Sequence, residues 1–263
     1  VSVPKLRVIS LGAGVQSTTM ALMAACGEIA PMPDYAIFAD TDDEKRGTYR
    51  HLDWLETKLP FPIRRVRRGN ISLSESTIAL YRDGGGYDQT PPFFYPGGML
   101  AKHCSKEWKT RVIVREIRRI LGLAPGQRGR ETVEVWIGIS REEAHRVKPS
   151  EVPWIANRWP LVDMALRRGH CVQWLQSHGY PVPPRSACVY CPYQSDDEFA
   201  GMKSNHVDDD WSRAVAFDDA IRPGGISTTG PLYVSRHRKA LAEIEFEDVP
   251  DLFGNECEGM CGV

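Results

Sequence analysis

Lys5-Leu6-Arg7-Val8-Ile9-Ser10-Leu11-Gly12-Ala13-Gly14-Val15-Gln16-Ser17-Thr18-Thr19-Met20 is the stretch that decides the fold. Residues 5–11 form an apolar, β-branched run and read as a buried strand. Residues 16–28 read as a helix that starts near Ser17. Between them stand Gly12 and Gly14, flanked by the hydroxyls of Ser10, Ser17 and Thr18. A strand, a glycine turn and a helix start together make an anion cradle. Glycine lets the backbone approach a phosphate, and the unpaired N–H groups of a first helical turn point at it. A P-loop would need Gly-Lys-Ser/Thr, and no lysine lies between residues 6 and 44. The dinucleotide fingerprint is a closer rival, because Gly12-x-Gly14-x-x-Ser17 supplies two of its glycines and Asp40 stands where a ribose-binding acid belongs.

Outward from that stretch, strand and helix patterns alternate. Residues 35–39 are a second apolar run with Asp40 at its carboxyl end. Thr41-Asp42-Asp43-Glu44 reads as the acidic first turn of a helix whose apolar face is Leu52, Leu55 and Leu59. Residues 63–67 suggest a third strand. Residues 70–101 are rich in glycine, proline and aromatics and read as an irregular lid or binding loop. An amphipathic helix over 106–121, a strand over 131–139 and a helix over 161–178 follow, the last stopped by Gly179. Residues 185–191 form a tight turn with two cysteines, and 197–202, 211–221 and 236–243 read as helices. The expected fold is α/β, a doubly wound parallel sheet of about five strands, with a cysteine-bearing helical C-terminal region. The expected division is a nucleotide-binding unit over 1–180, with an insertion at 70–105, and a second region over 181–263.

Across its 263 residues the chain balances 33 Lys and Arg against 34 Asp and Glu. Nothing global therefore argues for nucleic acid or membrane. Local basic clusters stand at Arg64, Arg65, Arg67 and Arg68, and at Arg115, Arg118, Arg119, Arg128 and Arg130. No apolar run approaches the roughly 20 residues of a membrane span, and no signal-peptide core is visible, so a cytoplasmic protein is expected. Seven cysteines in such a chain point to metal or redox chemistry rather than a disulfide framework. Cys188-x-x-Cys191 has the spacing of two ligands on one turn, which suits iron–sulfur or zinc, a redox pair or simple core packing. Cys26 and Cys171 read as core residues.

Several motifs, taken in order, resemble one family. Ser10-x-Gly12-x-Gly14-Val15-Gln16-Ser17 resembles the pyrophosphate loop of the adenine nucleotide alpha-hydrolase superfamily, the PP-loop ATP pyrophosphatases. Phe38-Ala39-Asp40-Thr41, Cys104-Ser105-Lys106-Glu107-Trp108-Lys109, Gly138-Ile139-Ser140-Arg141 with Glu143 and Arg146, Trp159-Pro160-Leu161 and Cys188-x-x-Cys191 resemble successive motifs of its phosphoadenylyl-sulfate (PAPS) reductase-like branch. The resemblance implies that Ser10, Gly12, Gly14, Gln16, Ser17, Thr18 and Gly138 hold the phosphates of ATP. It implies that Asp40 and Thr41 meet the ribose or Mg²⁺, and that Lys109 and Arg141 neutralise phosphate charge. It also implies an iron–sulfur cluster on Cys104, Cys188 and Cys191, with Cys257, Cys261 or no residue as the fourth ligand and Zn²⁺ as the alternative metal. The tail, Glu256-Cys257-Glu258-Gly259-Met260-Cys261-Gly262-Val263, resembles a mobile segment whose cysteine, here Cys261, is the nucleophile, but it lacks a glutamate directly before Cys261.

The implied function is an ATP pyrophosphatase that adenylates an acceptor and supports sulfur transfer. DNA phosphorothioation and tRNA thiolation are the expected settings, with a cysteine desulfurase as sulfur donor. The rivals are a sulfonucleotide (PAPS or APS) reductase, a non-catalytic nucleotide- or nucleic-acid-binding module and, last, a dinucleotide-dependent dehydrogenase. The oligomeric state is left open, a dimer included.

Overall fold

The computed structural model describes residues 4–83, 90–129, 132–224 and 230–246. Short apolar runs alternate with amphipathic segments, and they fold as strands and helices in succession. β1 (Leu6–Ser10) leads to α1 (Val15–Ala25), β2 (Tyr35–Asp40) to α2 (Arg46–Glu56), and β3 (Ile63–Arg67) to α3 (Leu73–Arg82). A small hairpin of β4 (Phe94–Tyr95) and β5 (Gly98–Met99) precedes a π-helical turn, Ser105–Thr110, that continues as α4 (Arg111–Ile120). Next come β6 (Val133–Ile137), a 3₁₀ turn at Arg141–Arg146, β7 (Ile155–Arg158), α5 (Pro160–Asp163) and α6 (Arg168–Ser177). α7 (Asp196–Ser204) and α8 (Asp210–Ile221) close the helical part.

Five strands pair in the order β3-β2-β1-β6-β7, and all pairings are parallel. All carboxyl ends therefore share one edge. The chain builds outward from β1 through β2 to β3, then crosses back to place β6 on the other side of β1. Strand order reverses between β1 and β6, which opens a crevice beyond their carboxyl ends.

Period-two alternation dresses both faces of the sheet. Ile9, Phe38 and Trp136 pack with residues of α1, α2, α5 and α6 on one side. Val8, Ile37 and Val135 pack with Val112, Ile113 and Ile117 of α4 on the other. A third apolar cluster joins Leu73, Tyr81, Phe93 and Trp108 to Val189, Tyr190, Phe199 and Phe217. Leu73, Tyr81, Phe93 and Trp108 thus share a core with the C-terminal helices. Among the described residues no helix is long and apolar enough to cross a membrane.

Several expected elements differ. Residues 41–44 do not open α2. Asp42 takes a left-handed φ of 64° and its N–H returns to Asp40 Oδ1 at 2.9 Å, so the chain turns before the helix starts at Arg46. The region read as an irregular loop contains α3, whose start is closed by a reciprocal Ser72–Glu75 capping box. The single helix expected over 161–178 is broken. Leu166 N–H bonds to the Leu161 carbonyl and Ala165 N–H to that of Val162, a Schellman ending with Ala165 at φ 55° where a glycine usually stands. Between 236 and 243 only Leu241–Glu243 is helical, as one 3₁₀ turn, because the Ser235 hydroxyl and Asp218 carboxylate take the N–H groups of His237 and Leu241. β7, unannounced by the sequence, carries a single buried residue, Ile155.

Candidate functional site

The crevice between β1 and β6 is where the glycine loop lies. Ser10, the last residue of β1, is in register with Ile37 of β2 and Ile137 of β6. Ala13 takes a left-handed φ of 58° and Gly14 then caps α1 in extended conformation. No side chain caps that helix, and no acidic residue stands in its first turn. Its first N–H groups and its positive dipole end therefore face the crevice edge without an internal anion.

Loop and β6 meet closely. A Cβ on Gly138 would lie 2.9 Å from both the N and Cα of Ser17, so only glycine lets the end of β6 approach the first turn of α1. Gly14 is different, since a Cβ there would meet nothing within 4 Å. The Ser17 hydroxyl donates back to the Gly14 carbonyl at 3.3 Å. Gln16 reaches across the crevice, and its Nε2 donates to Glu143 at 3.3 Å. Glu143 also takes the N–H and hydroxyl of Ser140 and pairs with Arg146, which fixes the turn after β6. Arg141 follows Ser140. Its backbone N–H goes to the Leu166 carbonyl, and among the described residues its exposed guanidinium has no hydrogen bond or ion pair.

Thr18 is placed otherwise than expected. Its N–H is given to the Gly14 carbonyl, and its hydroxyl is buried 3.0 Å from His51 Nε2. With both groups turned into the core, Thr18 supports the loop from below rather than facing the crevice. Burial pushes the His51 imidazole down to about 4.

A second assembly stands at the end of β2. Asp40 Oδ1 accepts from Asp42 N–H and, at 2.8 Å, from the Tyr49 hydroxyl, while Oδ2 accepts no hydrogen bond among the described residues. The following turn gathers distant segments. Thr41 Oγ1 meets Cys188 Sγ at 3.3 Å. Buried Asp43 takes the N–H and hydroxyl of Ser74 and the hydroxyl of Tyr190. Burial pushes the Asp43 carboxyl up in spite of these donors. Glu44 is fully buried and is held by Lys109 Nζ and Ser186 Oγ, both at 3.0 Å. Lys109, expected to touch phosphate, is therefore the counter-ion of a carboxylate that cannot be left unpaired. It sits on the π-helical turn, an irregularity found frequently at functional sites.

The cysteines lie beside this turn. Cys191 N–H donates to the Cys188 carbonyl, and Cys188 bridges to Glu44 through the backbone. Burial, reinforced by the Glu44 carboxylate and opposed by Lys109, pushes the Cys188 thiol well up, so it stays protonated at neutral pH. Cys104 packs on the same apolar cluster as Cys188, and both act on Tyr190, whose hydroxyl is pushed well up, first by burial. Among the described residues, however, no three His, Cys, Asp or Glu side chains are placed to hold a metal ion. Cys257 and Cys261 lie outside the described residues. The basic cluster on β3 is largely neutralised. Arg64 pairs with Glu116, Arg65 with Asp53 and Glu56, and Arg67 with Asp42.

Tyr49, His51, Asp43 and Glu44 were not foreseen at the site. Only Asp43 and Glu44 carried a signal, as members of the acidic run Asp42-Asp43-Glu44 after the Asp40-Thr41 pair.

No protein-family model matches the chain, and no curated protein matches it. Among solved structures, a phosphoadenylyl-sulfate (PAPS) reductase from Candida auris, determined as a phosphate complex, is similar at 14% sequence identity and a TM-score of 0.45. The likeness covers 69% of this chain and 76% of that one.

Proposed function

We propose that the chain is an ATP pyrophosphatase that adenylates an oxygen of its acceptor, from which a sulfur nucleophile then displaces AMP. The observation that carries this reading is the open first turn of α1, set behind a glycine loop at the reversal of strand order. That turn offers N–H groups and a positive dipole end to a phosphate chain. Arg141 would add a guanidinium to the same phosphates, and Asp40 keeps one oxygen for a ribose hydroxyl or for Mg²⁺. Magnesium is held mostly by phosphate and water, so one carboxylate is a sufficient protein contribution.

In the proposed reaction an acceptor oxygen attacks the α-phosphorus of ATP, the bond to the bridging oxygen breaks, and pyrophosphate leaves. Hydrosulfide, released from the persulfide of a separate donor such as a cysteine desulfurase by a thiol that ends in a disulfide with the donor's cysteine, then replaces the activated oxygen, and AMP leaves with that oxygen. The chain's own contribution is to hold the phosphates still and to spread their charge over fixed donors.

Calorimetric titration with ATP, with and without Mg²⁺, tests the binding claim. Wild-type protein should bind ATP, and Arg141→Ala should bind it at least about tenfold more weakly with an unchanged thermal midpoint. Pyrophosphate release is then measured with DNA and tRNA acceptors. Failure to bind ATP, preference for NAD, or sulfite release from PAPS without any use of ATP would each overturn the reading.

A further inference from the structure

We propose that Arg213 of α8 is a positioning residue for Asp40: it holds the 42–44 turn, and the turn aims the Asp40 carboxylate at the sugar hydroxyls of the nucleotide. The proposal rests on the nucleotide reading above and adds the part of the ligand that this edge recognises.

The contacts form a chain of cause. Arg213 Nη2 donates to the Asp42 carbonyl and Nη1 to the Glu44 carbonyl, each at 3.2 Å, and Nη1 is also 3.3 Å from Asp210 Oδ1. One planar guanidinium thus spans the two carbonyls on either side of Asp43, whose carboxylate lies 4.0 Å away. A lysine is a single point charge and cannot span both. The turn needs holding, because Asp42 is a non-glycine residue at φ 64°, and such conformations persist only where the surroundings over-determine them. That conformation sends the Asp42 N–H back to Asp40 Oδ1. Together with the Tyr49 hydroxyl it fills that oxygen and leaves Oδ2 to be presented. The carboxylate stands at the carboxyl end of β2, where a sugar-binding acid belongs in an open parallel sheet. The preceding turn of α8 secures the same segment from its other end, since Asp210 accepts the Arg46 N–H that begins α2.

The test compares the affinity of full-length protein for ATP and for 2′,3′-dideoxy-ATP, by calorimetry. Wild type should prefer ATP by about tenfold. Arg213→Met and Arg213→Lys should both erase most of that preference, while their affinity for the dideoxy nucleotide stays within about twofold of wild type. Arg50→Ala is the control for general loosening, because Arg50 pairs with Asp208 on the same seam and does not touch the 42–44 turn. It should leave the preference intact. An unchanged preference in both Arg213 variants, a parallel loss of dideoxy binding, or an equal effect from Arg50→Ala overturns the proposal. Wild type that binds both nucleotides equally overturns it too, with the nucleotide reading still standing. Wild type that binds neither overturns that reading itself.

Discussion

His51 shows how a single buried group carries a pH dependence. Its imidazole stays neutral against the Thr18 hydroxyl, pushed from 6.5 down to about 4 by burial. A depressed histidine contributes stability that is fully present above the unfolded value. As the pH falls from 6.5 toward 4, the unfolded chain takes up a proton there and the folded chain does not, so stability is lost in that window. The whole effect is roughly 3 kcal/mol at most. His51→Gln keeps a hydrogen-bonding side chain but does not titrate. Urea unfolding at about pH 7 and about pH 4.5 should show wild type losing roughly 2 kcal/mol more than the variant. Parallel losses in the two proteins would mean that His51 is protonated in the folded state. Glu44 and Lys109 illustrate the other side of residue-scale reading. A lysine within the amphipathic helix expected over 106–121 reads as a surface or ligand-facing charge, and its partner lies 65 residues away.

At the scale of elements, α1 and the end of β6 behave as one unit, and the two glycines at their junction separate packing from binding. Gly138→Ala drives a Cβ into the backbone of Ser17. It should destabilise the fold by about 1–3 kcal/mol and displace the loop. Gly14→Ala meets no neighbour and keeps an allowed φ of −92°. It should lower stability by no more than about 1 kcal/mol yet weaken ATP binding, since in the proposed function the backbone there must approach a phosphate. Thermal melts and ATP titrations on both variants check this, and a Gly14→Ala protein with wild-type affinity would make the loop a mere connector. Elements with strong local patterns were legible. β1, β2 and β6 are short apolar runs, and Gly179 announces the end of α6. Others were hidden for physical reasons. Ala165 ends α5 without a glycine, and β7 buries one residue of four. α3 was hidden only by its glycine-rich surroundings, for Ser72 and Glu75 spell its start. The 41–44 turn misled most, because acidic residues favour a helix start wherever nothing distant competes for them. Its distant partners lie from 25 (67 less 42) to 171 residues away.

For the molecule as a whole, the C-terminal helices dock on α2 through charge at the rim and a cap at the centre. Arg46 pairs twice with Asp209 and Arg50 twice with Asp208, while Asp210 accepts the first N–H of α2. These contributions are unequal. Asp210→Ala removes a buried acceptor from a helix start and from Arg213, and should cost about 1–2 kcal/mol. Arg50→Ala cuts an ion pair whose arginine is mostly exposed, and should cost less than about 1 kcal/mol. Urea unfolding at low and at roughly physiological salt measures both, and a larger loss for Arg50→Ala would reverse this ranking of cap over rim.

The turn after β2 also has a consequence in time. Its ties to Lys109, Ser186, Val189 and Arg213 all span long stretches of chain, and contacts of that kind form late because each must first close a large loop. The glycine loop is no earlier, since its junction with β6 joins Leu6 to Val133 and Gln16 to Glu143, each 127 residues apart. Both halves of the crevice edge are therefore completed in the same late stage of folding.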